Sequence, residues 1–248
     1  MAAIHTLLTG LARERATGSL SVTPSGKVFV DDGRVTFLEC AGTPTVERLL
    51  TARGRLGSPR PDTPRALVDG GTVTKAELQF CVVGAVLDAA YFLLPAPMPT
   101  ARPKFRPGER HWLGGQWGFE VAWLIRECTR RRAALAQTWP VDELDGVPVT
   151  PVARPPAQRV TLSALEWQIL VSADQVSTPA ELAERLGQPA YTVLLAVRRM
   201  GSAGLLTVPR LPLRRRHPPE RPEPVPRAAP TVDLSVLAAV KKALEELP

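Results

Sequence analysis

The chain has 248 residues, of which 44% are hydrophobic and 22% are charged, an ordinary composition for a globular protein that is long enough for two modest cores. The net charge of +7 is uneven, because six arginines and only two glutamates lie between Pro209 and Val232, so it says little about nucleic-acid binding by a folded domain. The three cysteines form no CxxC pair, which argues against a disulfide framework or a zinc site and predicts reduced core thiols at Cys40, Cys81 and Cys128.

The first part of the chain predicts one helix and a three-stranded meander. Apolar residues at helical spacing predict a helix over Ile4–Arg15. Alternating patterns predict strands over Ser19–Thr23, Lys27–Asp31 and Arg34–Cys40.

An Asp-Gly pair separates the last two of these strands. It is a strong signal for a tight hairpin, because a type I′ turn requires positive φ at both central residues. We therefore interpret Asp31 and Asp32 as turn residues rather than as part of a metal or catalytic site. No histidine or second acidic cluster lies near them in the sequence.

Helices are predicted for most of the region that follows. Thr74 and Glu77 have the spacing of a capping box, which marks the start of a long helix. The predicted elements are, in order, a helix over Pro44–Arg53, a loop over Leu56–Gly71, a helix over Thr72–Leu94, an irregular stretch with one short strand over Ala96–Gly118, and a helix over Phe119–Ala136.

Leu78–Leu94 is the one candidate for a membrane span. It is shorter than the ~20 residues that usually cross a bilayer, it contains Gln79 and Asp88, and it stops at Pro95. We interpret it as a buried amphipathic helix. Because the N-terminus also lacks the basic region of a secretory signal, we expect a cytoplasmic protein.

Four stretches of the first 139 residues carry a family resemblance: LLTGLARERATGSLSV, GKVFVDDGRVTFLECAG, GTVTKAELQFCVVGAVLDAAYFLL and FEVAWLIRECTRRR. Residues 1–140 thus resemble the DUF4388 family, also called the PATAN domain. The resemblance implies a small, non-enzymatic α+β domain of bacterial signalling and regulatory proteins. In that family it is attached to response-regulator, GTPase-related or transcription-factor-like modules. The proline-rich segment Pro59–Gly70 departs from the family's compact pattern.

Residues 160–208 have a different pattern, after a proline-rich linker predicted at 141–159. Three helices are predicted, in LSALEWQILVSAD, in PAELAERLG and over Ala190–Met200, followed by a turn and a strand in GSAGLLTV. Thr178 suits the cap of the second helix, Pro179 its first position and Gly187 its end. The region resembles a winged helix-turn-helix, and it is similar to the winged-helix-like DUF742 proteins found beside small GTPases and roadblock proteins.

The third of these helices determines what a winged helix would bind. A helical wheel assigns one side to the core, with Val193, Ala196, Val197 and Met200. The opposite side carries Tyr191, Leu194, Leu195, Arg198, Arg199 and Ser202.

Three interpretations of that opposite side stay open. It could contact DNA, it could bind a protein partner through an exposed apolar surface, or it could pack on the first domain. Leucine at the two central positions offers DNA bases only apolar contact, which favours a protein partner. The candidate DNA contacts are Tyr191, Thr192, Arg198 and Arg199, and the candidate protein contacts are Tyr191, Leu194 and Leu195.

The C-terminal region predicts a tethered helix. Residues 209–232 hold eight prolines and three successive arginines, which predicts a disordered, extended linker. Residues 233–248, DLSVLAAVKKALEELP, begin with a suitable N-cap at Asp233. So short a helix is marginal alone, so we expect it to dock onto a partner, a second copy or its own body. The apolar stripe that would dock is Leu237, Val240, Leu244 and Leu247.

Catalysis is not predicted. The histidines His5, His111 and His217 lie far apart, and no GxGxxG, GxxxxGK[ST], HExxH or GxSxG motif is present. We expect no catalytic residue, no cofactor and no metal ion.

These predictions combine into an α+β protein with five parts: a PATAN-like domain at 1–140, a linker at 141–159, a winged-helix-like domain at 160–208, a linker at 209–232 and an interaction helix at 233–248. We expect a non-enzymatic bacterial regulatory protein, either a transcriptional regulator or a signalling adaptor, that acts through protein–protein contacts. The alternative is a DNA-binding transcription factor. No membrane and no small-molecule substrate is predicted.

Overall fold

A computed structural model of the protein describes residues 4–22, 24–56, 63–94, 103–113 and 115–208. These residues form a mixed α+β structure with a small antiparallel sheet of four strands, which confirms the predicted fold class at that level. The predicted linker at 209–232 and the predicted terminal helix at 233–248, including Leu237, Val240, Leu244 and Leu247, lie outside the described residues.

Eight helices and four strands are present among the described residues. The helices are α1 Ile4–Arg13, α2 Val46–Ala52, α3 Pro64–Asp69, α4 Lys75–Leu93, α5 Val121–Thr138, α6 Ala164–Ser172, α7 Pro179–Leu186 and α8 Ala190–Ser202. The strands are β1 Gly18–Val22, β2 Gly26–Asp31, β3 Arg34–Cys40 and β4 Lys104–Pro107.

The sheet has the strand order β3-β2-β1-β4, and each neighbouring pair is antiparallel. The predicted meander is confirmed as β1 to β3. The short strand predicted within Ala96–Gly118 is β4, which joins the sheet beside β1. Because side chains alternate between the faces of a strand, Leu20, Val28 and Leu38 share one buried face, and α4 lies against β3.

The turn between β2 and β3 is the predicted hairpin turn. Asp32 has φ +47° and Gly33 has φ +75°, the positive values that a type I′ turn requires. Nε and Nη2 of Arg15 each donate to a carboxylate oxygen of Asp32 at 2.7 Å. Asp31 accepts a hydrogen bond from the hydroxyl of Thr17 at 3.1 Å. Both aspartates therefore act in the turn, as predicted.

Helix α4 is the centre of the first core. Its predicted capping box is present, since Thr74 N–H donates to Glu77 at 2.8 Å and Glu77 N–H donates to the Thr74 hydroxyl at 3.2 Å. By length and composition alone α4 could cross a membrane, and 56% of its apolar window is buried inside the protein, as in many core helices. Helix α4 contacts β3, α2, α5 and α8. Its apolar residues therefore lie around most of its circumference, and it is not the amphipathic helix that the sequence predicted.

Two local predictions differ from the structure. The predicted loop over Leu56–Gly71 contains the short helix α3, which Thr63 caps by accepting a hydrogen bond from Ala66 N–H at 3.3 Å. Helix α2 begins at Val46 with Thr45 as its N-cap, and not at Pro44. In both cases a threonine hydroxyl fixes the start of the helix.

Helices α6, α7 and α8 form a second core. The residues of α8 predicted to face it, Val193, Ala196, Val197 and Met200, are all buried there. Thr178 caps α7, Pro179 is at its first turn, and Gly187 ends it in the left-handed conformation, all as predicted.

The predicted linker at 141–159 contributes to this second core. Leu144 and Val149 are buried in it. Backbone hydrogen bonds join Val152 N–H to the carbonyl of Leu205 at 3.0 Å and Thr207 N–H to the carbonyl of Thr150 at 2.8 Å. The strand predicted after α8 is limited to a single bridge between Leu206 and Pro151.

The hairpin turn gives a stability prediction. A Cβ added at Gly33 would lie 2.6 Å from the backbone oxygen of Ala12 in α1, whereas at Gly42, where φ is +82°, it would meet nothing within 4 Å. Gly42→Ala should lower the free energy of unfolding by about 1 kcal/mol through backbone strain alone. Gly33→Ala should cost about 3 kcal/mol because overpacking adds to that strain. Urea denaturation of both variants checks this, and equal losses would contradict it.

Candidate functional site

The outward face predicted for α8 is partly buried in the structure. Leu194 is 3% exposed and Arg198 is 6% exposed, whereas Tyr191 and Leu195 are half-buried and Thr192 and Arg199 are exposed. Tyr191, Leu194 and Arg198 follow one another at helical spacing, so they share one face of α8. Of the three open interpretations, packing inside the protein applies to Tyr191, which contacts α4 and α5. Leu194 and Arg198 are buried, so they are not available as the predicted protein and DNA contacts.

Asp88 of α4 occupies the N-terminus of α8. That helix begins after Pro189, which provides no side-chain cap. The Asp88 carboxylate accepts a hydrogen bond from Tyr191 N–H at 3.3 Å and also lies against the N–H of Ala190. A carboxylate from another helix thus satisfies donors that the first turn of a helix leaves free, and it lies where the helix dipole favours a negative charge.

Arg131 of α5 completes this contact, which we name the Asp88 cluster (Asp88, Arg131, Glu127 and Tyr191). Its Nη1 lies 2.9 Å from Asp88 Oδ1, and its Nε lies 3.4 Å from Glu127 Oε1. Its guanidinium carbon is 4.5 Å from the centre of the Tyr191 ring, and its carbonyl accepts a hydrogen bond from the Tyr191 hydroxyl at 3.2 Å. Tyr91 contacts the same ring edge-on, with centroids 5.4 Å apart.

Burial dominates the electrostatics of Asp88, which is 2% exposed. Loss of water raises the pKa of this carboxyl, and Arg131 with the N–H groups of α8 offsets part of that rise. Glu127, which is less deeply buried, has its pKa lowered by Arg130 and Arg131. The cluster therefore holds one costly buried carboxylate of α4 whose partners come from two other helices, α5 and α8.

Arg198 forms a second internal contact, with Asp145 and the carbonyl of Trp139. Its Nε donates to Asp145 Oδ1 at 2.7 Å, its Nη2 donates to Asp145 Oδ2, and its Nη1 donates to the carbonyl of Trp139 at 2.8 Å. The guanidinium therefore ties α8 to the segment after α5. This bidentate pair uses the donors that a DNA phosphate would need.

Arg48 of α2 makes a third contact, at the C-terminus of α7. Its Nε donates to the carbonyl of Glu184 at 2.8 Å, and its Nη2 donates to the carbonyl of Arg185 at 3.2 Å. The helices approach closely here, since a Cβ on Gly187 would lie 1.9 Å from the Cβ of Ala52. Gly187 thus serves both the left-handed end of α7 and its close approach to α2.

Sequence analysis missed most of these residues. Asp88 did carry a signal, as the one acidic residue in a long apolar run, but the pattern gives no indication of its partner. Arg48, Arg131 and Asp145 carried no signal, because their partners lie far away in the sequence.

Within the part of the chain that the structure describes, the cysteines and the histidines His5 and His111 take no part in these contacts. Cys81 and Cys128 are buried, as predicted for core thiols, and Cys40 is half-buried. Burial raises the pKa of Cys40 to about 11, so its thiol is protonated at neutral pH. His111 stacks on Phe37, with ring centroids 3.9 Å apart, and its Nε2 lies 3.3 Å from Glu39 Oε1.

Comparisons of the chain with protein-family models, with curated proteins and with solved structures gave no match. The functional assignment therefore depends on the geometry of the site and on the sequence patterns.

Removing Asp88 tests the contact between α8 and α4. Asp88→Ala should lower the free energy of unfolding by about 3 kcal/mol, because it leaves a largely buried guanidinium and the first N–H groups of α8 without their carboxylate. Asp69→Ala is the control, since Asp69 forms an exposed pair with Arg65 within α3 and should cost less than about 0.5 kcal/mol. If urea denaturation gave similar losses of stability for Asp88→Ala and Asp69→Ala, the Asp88 cluster would contribute no more to stability than an exposed ion pair.

The raised pKa of Asp88 predicts a pH dependence of stability. Between the ordinary pKa of the unfolded chain and the raised pKa of the folded protein, the folded state binds more protons. The contribution of Asp88 to the free energy of unfolding therefore falls as the pH rises through that window. Asp88→Asn removes this contribution, so the difference in stability between wild type and variant should change with pH there and be constant above it. A difference that is constant throughout would contradict the prediction.

Proposed function

We propose that the protein is a non-enzymatic, cytoplasmic bacterial regulatory protein that acts through protein–protein contacts, as a transcriptional regulator or a signalling adaptor. Its N-terminal part would be a PATAN-like domain and its second core a winged-helix-like domain. The sequence resemblances support these names. The order of helices α6 to α8, with a bridged pair of segments beside them, is compatible with the second.

One observation carries this proposal: the face of α8 that would enter a DNA groove is used inside the protein. Leu194 is buried, Tyr191 lies in the Asp88 cluster, and Arg198 is paired with Asp145. A helix that reads bases needs that face free. Because this face of α8 is occupied inside the protein, we expect a partner to bind at another surface.

The exposed apolar residues beside α8 are the best candidates for such a surface. Trp167 is 61% exposed, Val171 is 66% exposed and Val176 is 75% exposed. Trp167 and Val171 are four residues apart on α6, so they share one face of that helix. Exposed tryptophan is typical of the centre of protein interfaces. Leu195, which is half-buried, is less available than predicted.

DNA binding is the second candidate function, and exposed residues of α8 and α5 favour it. Thr192 and Arg199 remain accessible on α8, and α5 carries the exposed Arg126. These arginines could contact phosphates, which gives affinity without reading sequence. Binding of this kind should weaken steeply with salt.

A pair of single variants separates the two functions. The wild-type protein, Trp167→Ser and Arg199→Ser would each be expressed in the native cells, and the recovered proteins and DNA identified. We expect a stoichiometric protein partner that Trp167→Ser loses and Arg199→Ser keeps, since the apolar contact depends on the tryptophan. Discrete DNA sites that Arg199→Ser loses and Trp167→Ser keeps would establish the second function instead.

A further inference from the structure

A cavity of about 180 Å³ lies where four helices meet. Leu49 and Arg53 line it from the end of α2, Asp88 from α4, Arg131 from α5 and Thr192 from the first turn of α8. It is thus built from residues of both cores, and it adjoins the Asp88 cluster. It is smaller than the roughly 300–1,000 Å³ of a typical drug-sized site, so it suits a small molecule.

Most of the cavity wall is apolar. Five residues of α4 line it beside Asp88, and among them Cys81 and Leu87 are buried while Phe80 at the rim is 67% exposed. A Cβ added to Gly84 would meet nothing within 4 Å, so this glycine widens the open space. An apolar floor with an exposed aromatic ring beside it favours a ligand with an apolar body.

Arg53 is an exposed cation at the cavity. Its Nη1 lies 3.5 Å from the sulfur of Cys81, and its guanidinium carbon lies 5.9 Å from the centre of the Phe80 ring. No carboxylate of the described residues forms an ion pair with it. Arg131, in contrast, is paired with Asp88 and Glu127. The cavity therefore offers one available cation beside its apolar wall.

Two other cavities lack this combination. One of about 330 Å³ includes Lys27 and Glu39, but Lys27 pairs with Glu109 and Glu39 lies against His111. Another, of about 350 Å³ at the start of α5, is lined by Arg13, Arg34 and Glu120 and has no aromatic side chain in its wall. Among these three, the cavity at Arg53 combines a cation that has no ion pair within the described residues with an exposed aromatic ring.

We propose that this cavity binds a small amphipathic carboxylate: an unbranched apolar chain that lies along α4, with its carboxylate on Arg53. The chain replaces water against Leu49, Cys81 and Leu87, and the guanidinium gives the carboxylate a charge-assisted hydrogen bond. Because its walls come from both cores, the ligand binds most tightly when α8 is held against α4.

Three eight-carbon probes test the charge and the apolar body separately. Isothermal titration of the full chain with octanoate should give saturable binding near one site per chain. Octan-1-ol should bind more weakly, and octylammonium should not bind. Equal binding of octanoate and octan-1-ol would overturn the role of Arg53, and absence of octanoate binding would overturn the proposal as a whole.

Two pairs of variants locate the site. Gly84→Leu should abolish octanoate binding by filling the cavity, whereas Gly84→Ala, with one added carbon in open space, should reduce it only slightly. Arg53→Gln should weaken binding roughly tenfold through loss of a charged hydrogen bond. Arg55→Gln should leave it unchanged, since Arg55 pairs with Glu77 outside the cavity.

If Gly84→Leu fails to fold, as judged by circular dichroism, the arginine pair decides the question. Octanoate affinity that is the same in Arg53→Gln and Arg55→Gln would place the ligand elsewhere and overturn the proposal. None of these outcomes depends on whether the protein has a macromolecular partner, so the proposed function is tested independently.

Discussion

The carboxylate of Asp88 is the interaction on which the arrangement of the two cores depends. It lies in the middle of the apolar helix α4, where an unpaired charge would be very costly. Arg131 of α5 and the first N–H groups of α8 provide its partners. Such a buried pair is weak evidence for stability, but the first N–H groups of α8 reach the carboxylate only when α8 lies in one register against α4. We interpret it as the device that fixes this orientation.

Charged side chains of the N-terminal part act on helix ends of the second core with opposite signs. Asp88 lies at the N-terminus of α8, and Arg48 lies at the C-terminus of α7. Both follow the sign of the helix dipole, which favours anions at the first turn and cations at the last. In each case a backbone group that would otherwise face solvent or a buried surface gains a partner. The two contacts together position α7 and α8 from two directions.

The local part of this structure could be predicted from sequence, because its causes lie within a few residues. The turn at Asp32, the capping box at Thr74 and the end of α7 at Gly187 all depend on side chains close to the backbone they bind. The exposure of Leu194 could not be predicted in the same way. A helical wheel describes an isolated helix, whereas α8 also contacts α4 and α5, which lie far away in the sequence.

The site was harder to predict than the fold for the same reason. Asp88 attracted attention as a polar residue in an apolar run, but Arg131 and Tyr191 could be identified as its partners only from the packing of three helices. The short helix α3 was missed because Thr63 and Pro64, its start signal, lie in a stretch rich in glycine, proline and arginine. The helix-breaking residues of that stretch led to the prediction of a loop, although Thr63 and Pro64 are a valid start for a helix.

The bridge between Pro151 and Leu206 has a consequence for how this chain could have evolved. Residues that look like a spacer are hydrogen-bonded to the segment after α8, and two of them, Leu144 and Val149, are buried in the second core. A recombination event that moved the helical part alone, starting at residue 160, would leave behind part of its core and the Asp145 partner of Arg198. The portable unit is therefore larger than the pattern of prolines indicates, since it must include Leu144 and Asp145.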